Sequence, residues 1–462
     1  MVDRPAGDAP AGYTPTPWRE ARSTLYIAVP LASAYLSEHA MVLTDRIIVG
    51  RLGSVELAAV GLAGDLMFEA AVASMAVVAV VGVLVARCVG AGENDRIRSQ
   101  VRQGLWVALI VGLPTTALCF FLPELLSYTG QDPQVLAFGK TYLSFATWSI
   151  LPYLWFTVLR QFLAALERLR PVLIITVSTV FMNALLTYSL VFGEFGMPQM
   201  GVAGAGLATS IVSYVMFIAL TFHVLRAQGL KDYSLLVNIH KIDWGVVREI
   251  FKLGLPVGAI TALESGLFAV IAIMVGTFGA TALAANLVVT SSVVVVYIAV
   301  FSIGEAAALR VSYHIGRTAP KSARQAGFVA LAMGFVLMSA GVVIFLVFPK
   351  ELASIFIDVH DPKNAEVVSL AVTLFAIAAA FQVSDGIQSI STRALRGLKD
   401  TFVPMWIAAI SYWGFGIGSG YVLAFVFDYK SPGLWWGLVV GLTIAATALT
   451  WRFFRLSSQR CG

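Results

Sequence analysis

The stretch Leu253–Gly279, LGLPVGAITALESGLFAVIAIMVGTFG, decides the fold class because it is a long apolar run with one carboxylate, Glu264, in its middle. About 20 apolar residues are enough for a helix to cross the hydrocarbon core of a bilayer. Placing Asp, Lys or Arg at that depth is unfavourable by about 2.5–3.5 kcal/mol on insertion scales, so acids inside such runs usually have a function. The stretch therefore predicts a transmembrane helix with a functional acid.

The same pattern occurs a second time near the N-terminus. A shift of 226 residues places Glu264 on Glu38, and the same shift places Pro256 on Pro30. A constant offset between landmarks indicates an internal repeat. Proline inside a helix favours a kink, so Pro30 and Pro256 are candidate gating kinks, with a static kink as the alternative.

The composition is that of an integral membrane protein. Hydrophobic residues make up 58% of the chain, charged residues 12%, and the mean hydropathy is +0.84. The net charge of +5 comes from dispersed basic residues, which argues against nucleic-acid binding. The polar start lacks the features of a cleaved signal peptide, and the three cysteines form no CxxC pair, so we expect an uncleaved tail and neither a disulfide framework nor a zinc site.

Apolar runs of membrane-spanning length predict twelve transmembrane helices, with boundaries uncertain by about 2–4 residues. They lie near residues 24–45, 57–86, 103–122, 138–159, 171–192, 201–225, 251–275, 282–309, 327–348, 366–392, 402–426 and 433–451. When the loops are assigned alternately to two sides, 25 of the 31 Lys and Arg residues fall on one side. Positive loops face the cytoplasm, so both termini are predicted to be cytoplasmic.

The predicted fold is all-α and integral to the membrane, with two six-helix bundles related by pseudo-two-fold symmetry. Six spans precede the longest charged stretch, so the two halves should insert in the same direction, with substrate between them. The predicted parts are an N-terminal tail at 1–23, an N-lobe at 24–226, a cytoplasmic linker at 227–250, a C-lobe at 251–456 and a C-terminal tail at 457–462.

Two acids lie at bilayer depth in the second half of the chain. They are Glu264 and Asp385, and Gln388 lies one helical turn after Asp385. Carboxylates in a low dielectric can exchange protons near neutral pH or bind a hard cation such as Na⁺ through oxygen ligands. The pair therefore predicts a cation or proton site, whereas a hydrogen-bonded structural role is the alternative.

A second polar group is predicted in the first half. Glu38 and Asp45 are seven residues apart, which places them on one face of the first helix about 10 Å apart along its axis. Asn183 and Thr187, four residues apart in the fifth span, could complete an oxygen-rich pocket with Asp45. Pairing of Asp45 with a neighbouring arginine is the alternative.

A phosphate-binding loop is missing from the sequence. Gly139-Lys140-Thr141 resembles the end of such a loop, but Gln134 stands where its first glycine would be. ATP is therefore not the expected energy source, and no cofactor is expected. We expect an ion gradient to supply the energy instead.

Several motifs together resemble one transporter family. They are Lys252–Pro256 (KLGLP) followed by Glu264, Ala308–Val311 (ALRV) followed by Gly316, Asp385 followed by Leu395–Thr401 (LRGLKDT), Gly201–Ala205 (GVAGA) followed by Ala208 and Thr209, and Asp45. On these residues the chain resembles the multidrug and toxic compound extrusion (MATE) transporters, and more closely their bacterial NorM-like branch. The resemblance covers nearly the whole chain.

The resemblance implies export of organic cations, such as dyes and fluoroquinolones, coupled to Na⁺ or H⁺. It implies that Glu264 and Asp385 form the cation site of the C-lobe, that Tyr297 lies beside it, and that Asp45 serves the N-lobe. This chain has Thr187 where several relatives carry Asp. It also has Glu305 where family members usually have a small or amide residue, and an extra acid there could join the cation pathway.

We therefore expect a non-enzymatic antiporter that confers drug resistance, a monomer in the bacterial inner membrane, with Na⁺ and H⁺ both open as the coupling ion. A lipid-linked saccharide flippase of related architecture is the first alternative. Flippases of this kind commonly line their cavity with several basic residues that bind a pyrophosphate, whereas here nearly all the Lys and Arg residues are predicted at loops. An intramembrane enzyme is the second alternative, but the sequence shows no metal-ligand cluster or Ser/His arrangement at membrane depth.

Overall fold

A computed structural model describes residues 15–129, 132–235 and 237–459. Within these ranges the chain forms helices and turns and no β-strand. Twelve long helices account for most of the described residues. They are α1 (Pro17–Gly50), α2 (Ser54–Ala91), α3 (Asn94–Phe120), α4 (Pro133–Ala165), α5 (Arg170–Phe192), α6 (Val202–Arg226), α7 (Trp244–Gly276), α8 (Ala280–Gly316), α9 (Pro320–Val347), α10 (Ala365–Gly397), α11 (Phe402–Val426) and α12 (Lys430–Gln459).

The predicted all-α membrane fold is confirmed, with one long helix at each predicted span. In the described ranges, 11 helices are long and apolar enough to cross a membrane. The remaining one, α1, has 34 residues and several charged side chains, which lowers its mean hydropathy. Residues 17–23 and 244–250, predicted as tail and linker, are helical and extend α1 and α7. Residues 1–14 and 460–462 of the predicted tails lie outside the described part of the chain.

The first compact unit comprises residues 33–258. It contains most of α1, all of α2 to α6 and the first part of α7. The charged segment between α6 and α7 is held against α3, because the Arg98 and Trp106 side chains donate hydrogen bonds to the carbonyl oxygens of Tyr233 (2.8 Å) and Ile239 (2.7 Å). These bonds fix the segment, in which Leu230 and Leu235 are also buried.

The start of α7 belongs to this first unit, whereas the sequence places it at the start of the C-lobe. Gly254 and Gly258 explain the difference. A Cβ atom at Gly254 would lie 2.4 Å from the carbonyl oxygen of Val77, and one at Gly258 would lie 3.0 Å from that of Ala73. The two glycines therefore let α7 approach the backbone of α2.

The second compact unit comprises residues 259–459 together with the described residues up to Ala32. The start of α1 belongs here because of a buried ion pair. Both carboxylate oxygens of Glu20 accept hydrogen bonds from Arg310 at 2.8 Å, and His314 lies 3.2 Å from Glu20 Oε2. Glu20 was predicted to lie in a polar tail, but its side chain is completely buried.

Within the second unit, α11 and α12 pack backbone against backbone. Residues Ile410–Ile417 and Val422–Val426 of α11 are π-helical. A Cβ atom at Gly437 of α12 would lie 2.4 Å from the Cα atom of Gly420, and one at Gly441 would lie 2.8 Å from the Cα atom of Gly416. Small residues four apart on both helices permit this approach, as in other membrane helix pairs.

Gly437→Ala should therefore destabilise the protein. The added methyl group has no room, and overpacking of this kind typically costs about 1–3 kcal/mol. We expect a lower midpoint of thermal unfolding in detergent, measured by fluorescence or by size-exclusion recovery after heating. Gly418→Ala is the matched control, since a Cβ atom there meets nothing within 4 Å. An equal midpoint for the two variants would contradict this packing.

Candidate functional site

The second unit brings four of the predicted site residues together. Tyr297 Oη of α8 donates a hydrogen bond of 3.0 Å to Glu264 Oε1 of α7. Gln388 Nε2 of α10 donates to the same Glu264 oxygen at 3.0 Å and to Asp385 Oδ1 at 3.3 Å. The side-chain amide of Gln388 therefore bridges the two carboxylates.

The two carboxylates are buried to different degrees. Asp385 is 2% exposed and Gln388 is 1% exposed, whereas Glu264 is half-buried. Two carboxylates that share one amide donor repel each other when both are ionised, and burial disfavours the charged form of a carboxylate. A proton or a metal cation beside them would relieve both penalties. The arrangement can therefore bind and release a small cation.

A buried tyrosine that sequence reasoning missed orients this bridge. Tyr412 Oη donates a hydrogen bond of 2.6 Å to Gln388 Oε1, and Tyr412 is fully buried. The amide oxygen of Gln388 is thereby occupied, so its NH₂ group must face Glu264 and Asp385. Tyr412 lies in the π-helical part of α11. Such segments are frequent at functional sites, but the run Ser411–Gly416, SYWGFG, has no periodicity that reveals one.

In the first unit, Asp45 occupies a pocket of neutral donors. Asn183 Nδ2 and Thr187 Oγ1 each donate to Asp45 Oδ1 at 2.7 Å, and Thr209 Oγ1 donates to Oδ2 at 3.4 Å. The predicted grouping of Asp45 with Asn183 and Thr187 is present. The neighbouring Arg46 pairs with Asp65 instead. None of these three donors supplies a positive charge to Asp45.

Glu38 has a different environment, although it shares α1 with Asp45. Arg160 NH1 lies 2.6 Å from Glu38 Oε1, and Tyr153 donates to Glu38 Oε2. The Arg160 side chain is 1% exposed and lies over the ring of Tyr35, 4.7 Å from its centre. The charge of Glu38 is therefore already matched by an arginine within the same unit.

The expectation that the basic residues lie at loops is wrong for four arginines. They lie within α4, α8 and α10, are largely buried, and each contacts a glutamate: Arg160, Arg310, Arg393 and Arg396. A charge inside an apolar helix bundle is tolerated when it is paired and hydrogen-bonded. Sequence position alone could not show this pairing, because Arg160 and Glu38 are 122 residues apart.

The structure also assigns partners to the extra acid Glu305. Its Oε1 atom accepts hydrogen bonds from Arg396 at 2.7 Å and from Arg393 at 3.2 Å, and the glutamate is buried.

Pro30 and Pro256 lie inside α1 and α7, and each helix continues past its proline. In both helices the change from one compact unit to the other comes two residues after the proline.

Comparison with known proteins identifies the family. The MatE family profile matches residues 30–189 and 256–422, which is more than half of the chain. The chain belongs to the MatE family. Two curated relatives of this MatE protein carry the name "Probable multidrug resistance protein NorM". The one from Rhizobium meliloti is 36% identical over 94% of this chain and 93% of its own length, and the one from Bradyrhizobium diazoefficiens is 37% identical over 95% and 94%.

Solved structures show that this MatE protein shares the twelve-helix MATE fold. The eukaryotic MATE transporter AtDTX14 superposes with a TM-score of 0.84 at 21% identity, covering 96% of this chain and 98% of that one. A variant of the Vibrio cholerae MATE transporter VcmN gives a TM-score of 0.86 at 17% identity, covering 95% and 97%. At these identities the likeness concerns the fold.

Glu38→Gln should destabilise the protein strongly, because it leaves the buried Arg160 without its carboxylate. Breaking one partner of a buried ion pair typically costs about 3–5 kcal/mol. The measurement is the midpoint of thermal unfolding in detergent. Adding Arg160→Met should restore much of the loss, since the pair is then replaced by apolar groups.

Asp65→Asn is the matched control for this experiment. It breaks the Arg46–Asp65 pair in the same unit, whose side chains are 39% and 62% exposed. Exposed pairs contribute about 0–1 kcal/mol, so the midpoint should hardly change. Equal changes in the unfolding midpoint for Glu38→Gln and Asp65→Asn would show that the Glu38–Arg160 pair stabilises the protein no more than an exposed pair does.

Proposed function

We propose that this chain is a secondary-active multidrug efflux transporter, which exports organic cations in exchange for Na⁺ or H⁺. The observation that carries the proposal is the pair of carboxylates, Glu264 and Asp385, bridged by the amide of Gln388. The names of the curated NorM relatives support drugs as the substrates. Organic cations carry a positive charge, so carboxylates that bind a small cation suit an exchange of one for the other.

In this proposal Glu264 and Asp385 bind the coupling ion. Tyr297 and Gln388 hold the two carboxylates in place, as their hydrogen bonds indicate. Asp45, with Asn183 and Thr187 as neutral partners, is a second cation site in the other compact unit. Each carboxylate offers an oxygen ligand to Na⁺ or accepts a proton, so the chemistry of the site permits either ion.

Coupling then follows from a difference in affinity between two states. A cation that binds the carboxylates better in one conformation shifts the population toward that conformation. Binding of the ion in the state that faces the outside would favour drug release, and its departure would permit drug binding from the inside. Pro30 and Pro256 are the proposed bending points, because each lies near the place where its helix passes between the compact units.

The flippase alternative is less compatible with the charges of the described residues. A lipid-linked pyrophosphate needs basic groups that are available to bind it. Each of the four buried arginines contacts Glu20, Glu38 or Glu305, so each already has a carboxylate partner within the protein. The charge asymmetry between the loops supports our further proposal that both termini lie in the cytoplasm. The bacterial relatives support a location in the inner membrane, and we propose that the protein is a monomer there.

Glu264→Gln and Asp385→Asn should each reduce gradient-driven export strongly. Each substitution keeps the shape of the side chain but removes the charge that binds the coupling ion. In proteoliposomes with an imposed Na⁺ or H⁺ gradient and a fluorescent cationic dye, we expect dye transport to fall at least about 10-fold, as for an interaction worth more than about 1.4 kcal/mol.

Glu366→Gln provides the matched control, since Glu366 lies in the first turn of α10 and is exposed. Its transport rate should equal that of the wild type. Normal gradient-driven transport by both Glu264→Gln and Asp385→Asn would refute the proposed coupling role.

Tyr412→Phe should weaken the coupling without abolishing it. Loss of the hydroxyl frees the amide oxygen of Gln388, so the bridge to the carboxylates is less well oriented. One hydrogen bond contributes about 0.5–1.5 kcal/mol, which corresponds to an increase of about 2- to 10-fold in the half-saturating ion concentration. The concentration dependence of dye transport measures this change, and an unaltered value would argue against the orienting role.

A further inference from the structure

A second group of charges lies on α8 and on α10, the helix that carries the proposed coupling residue Asp385. Glu305 of α8 accepts hydrogen bonds from both Arg393 and Arg396 of α10. The three side chains are 4%, 12% and 6% exposed, respectively. Helices α8 and α10 also supply Tyr297 and Asp385, so the charges of the two groups influence each other through a low-dielectric interior.

Arg393 connects the two groups through a continuous series of contacts. Its guanidinium carbon lies 3.9 Å from the centre of the Phe301 ring, and the centre of that ring lies 6.0 Å from the centre of the Tyr297 ring. Tyr297 in turn donates to Glu264. On its other side, Arg393 NH1 donates to the carbonyl oxygen of Ser389 at 2.9 Å and to its hydroxyl at 2.6 Å. Arg393 therefore lies between Glu305 and the coupling carboxylates.

A glycine keeps room for Arg393 in this position. A Cβ atom at Gly304 would lie 2.6 Å from Arg393 Cδ. Any side chain at position 304 would push the arginine stem away, so the sequence Gly304-Glu305 supplies both the space and the counter-charge for Arg393.

The charges of the combined group do not cancel. With its carboxylates ionised, the group has three negative and two positive side chains and so one net negative charge, from Glu264, Asp385, Glu305, Arg393 and Arg396. A buried group that is one charge short of neutrality is stabilised by one monovalent cation. Without Glu305 the same group would already be neutral when no ion is bound.

We propose that Glu305 is a positioning residue that holds Arg393 and Arg396 away from Glu264 and Asp385, and thereby sets the capacity of this unit at one monovalent cation per cycle. The inference rests on the proposed function and adds the number of ions to it. If Glu305 loses its charge, Arg393 turns toward Glu264 and takes the place of the coupling ion.

Three variants test this inference, because they change the net charge in opposite directions. Glu305→Gln should raise the half-saturating ion concentration for dye transport about 10-fold or more, because a buried arginine then competes with the ion. Arg393→Gln should lower that concentration, since the group gains a net negative charge. Glu305→Gln/Arg393→Gln restores the original net charge and should return the value to within about 3-fold of the wild type.

The assay is ion-dependent dye transport in proteoliposomes, with the amount of folded transporter measured by size-exclusion chromatography. Opposite shifts in the single variants and recovery in the double variant support the proposal, because a purely structural role would impair all three. Shifts in the same direction, or a double variant no better than Glu305→Gln, would overturn it. If Glu305→Gln does not fold, Arg393→Gln still tests the proposal. An unchanged or raised half-saturating concentration in that variant contradicts the proposal.

Failure of the proposed function gives a different result in the same assay. In that case the wild-type protein itself would show no ion-dependent dye transport, and no half-saturating concentration could be defined. Glu366→Gln again serves as the control for loss of an acid on α10 outside the buried group.

Discussion

Two carboxylates that share one amide donor are the constraint on which the second compact unit depends. Glu264 and Asp385 come from different helices, and Gln388 holds both. Their mutual repulsion and partial burial make this arrangement unfavourable unless a cation or proton is nearby. The rest of the unit supports it. Tyr412 fixes the orientation of the amide, and the glycine contacts between α11 and α12 hold the helix that carries Tyr412.

In the proposed mechanism, pairing with an arginine separates the carboxylates that do not take part in coupling from those that do. Glu20, Glu38 and Glu305 each contact a buried arginine, so their charges are balanced within the protein. Asp45 receives its described hydrogen bonds from neutral donors, and Glu264 and Asp385 share a neutral amide. This difference divides residues that look alike in the sequence. Glu38 and Glu264 occupy matching positions in the repeat, yet Glu38 forms a salt bridge with Arg160, whereas Glu264 accepts hydrogen bonds from Tyr297 and Gln388.

The helices, and the residues that meet at the candidate site, could be predicted from the sequence because each leaves a local pattern. An isolated acid in an apolar run identifies Glu264, and a spacing of four residues places Asn183 and Thr187 on one helix face. Contacts between distant positions leave no such pattern. The partner of Arg160 is 122 residues away, and the π-helical turn that orients Tyr412 has no periodicity of its own. For the same reason, the packing of the start of α1 with α8 could not be predicted, since it depends on Glu20 meeting Arg310.

The most direct test of ion-for-drug exchange is the release of a cation when drug binds to the purified protein. A cationic drug would be added at saturating concentration to the detergent-solubilised protein in a weakly buffered Na⁺ solution, while proton release is followed with a pH indicator and Na⁺ release with radioactive sodium. The account predicts that drug binding releases one of the two ions from the wild type. It predicts a smaller release from the Glu264→Gln/Asp385→Asn variant. Drug binding without release of either ion, or equal release from both proteins, would contradict it.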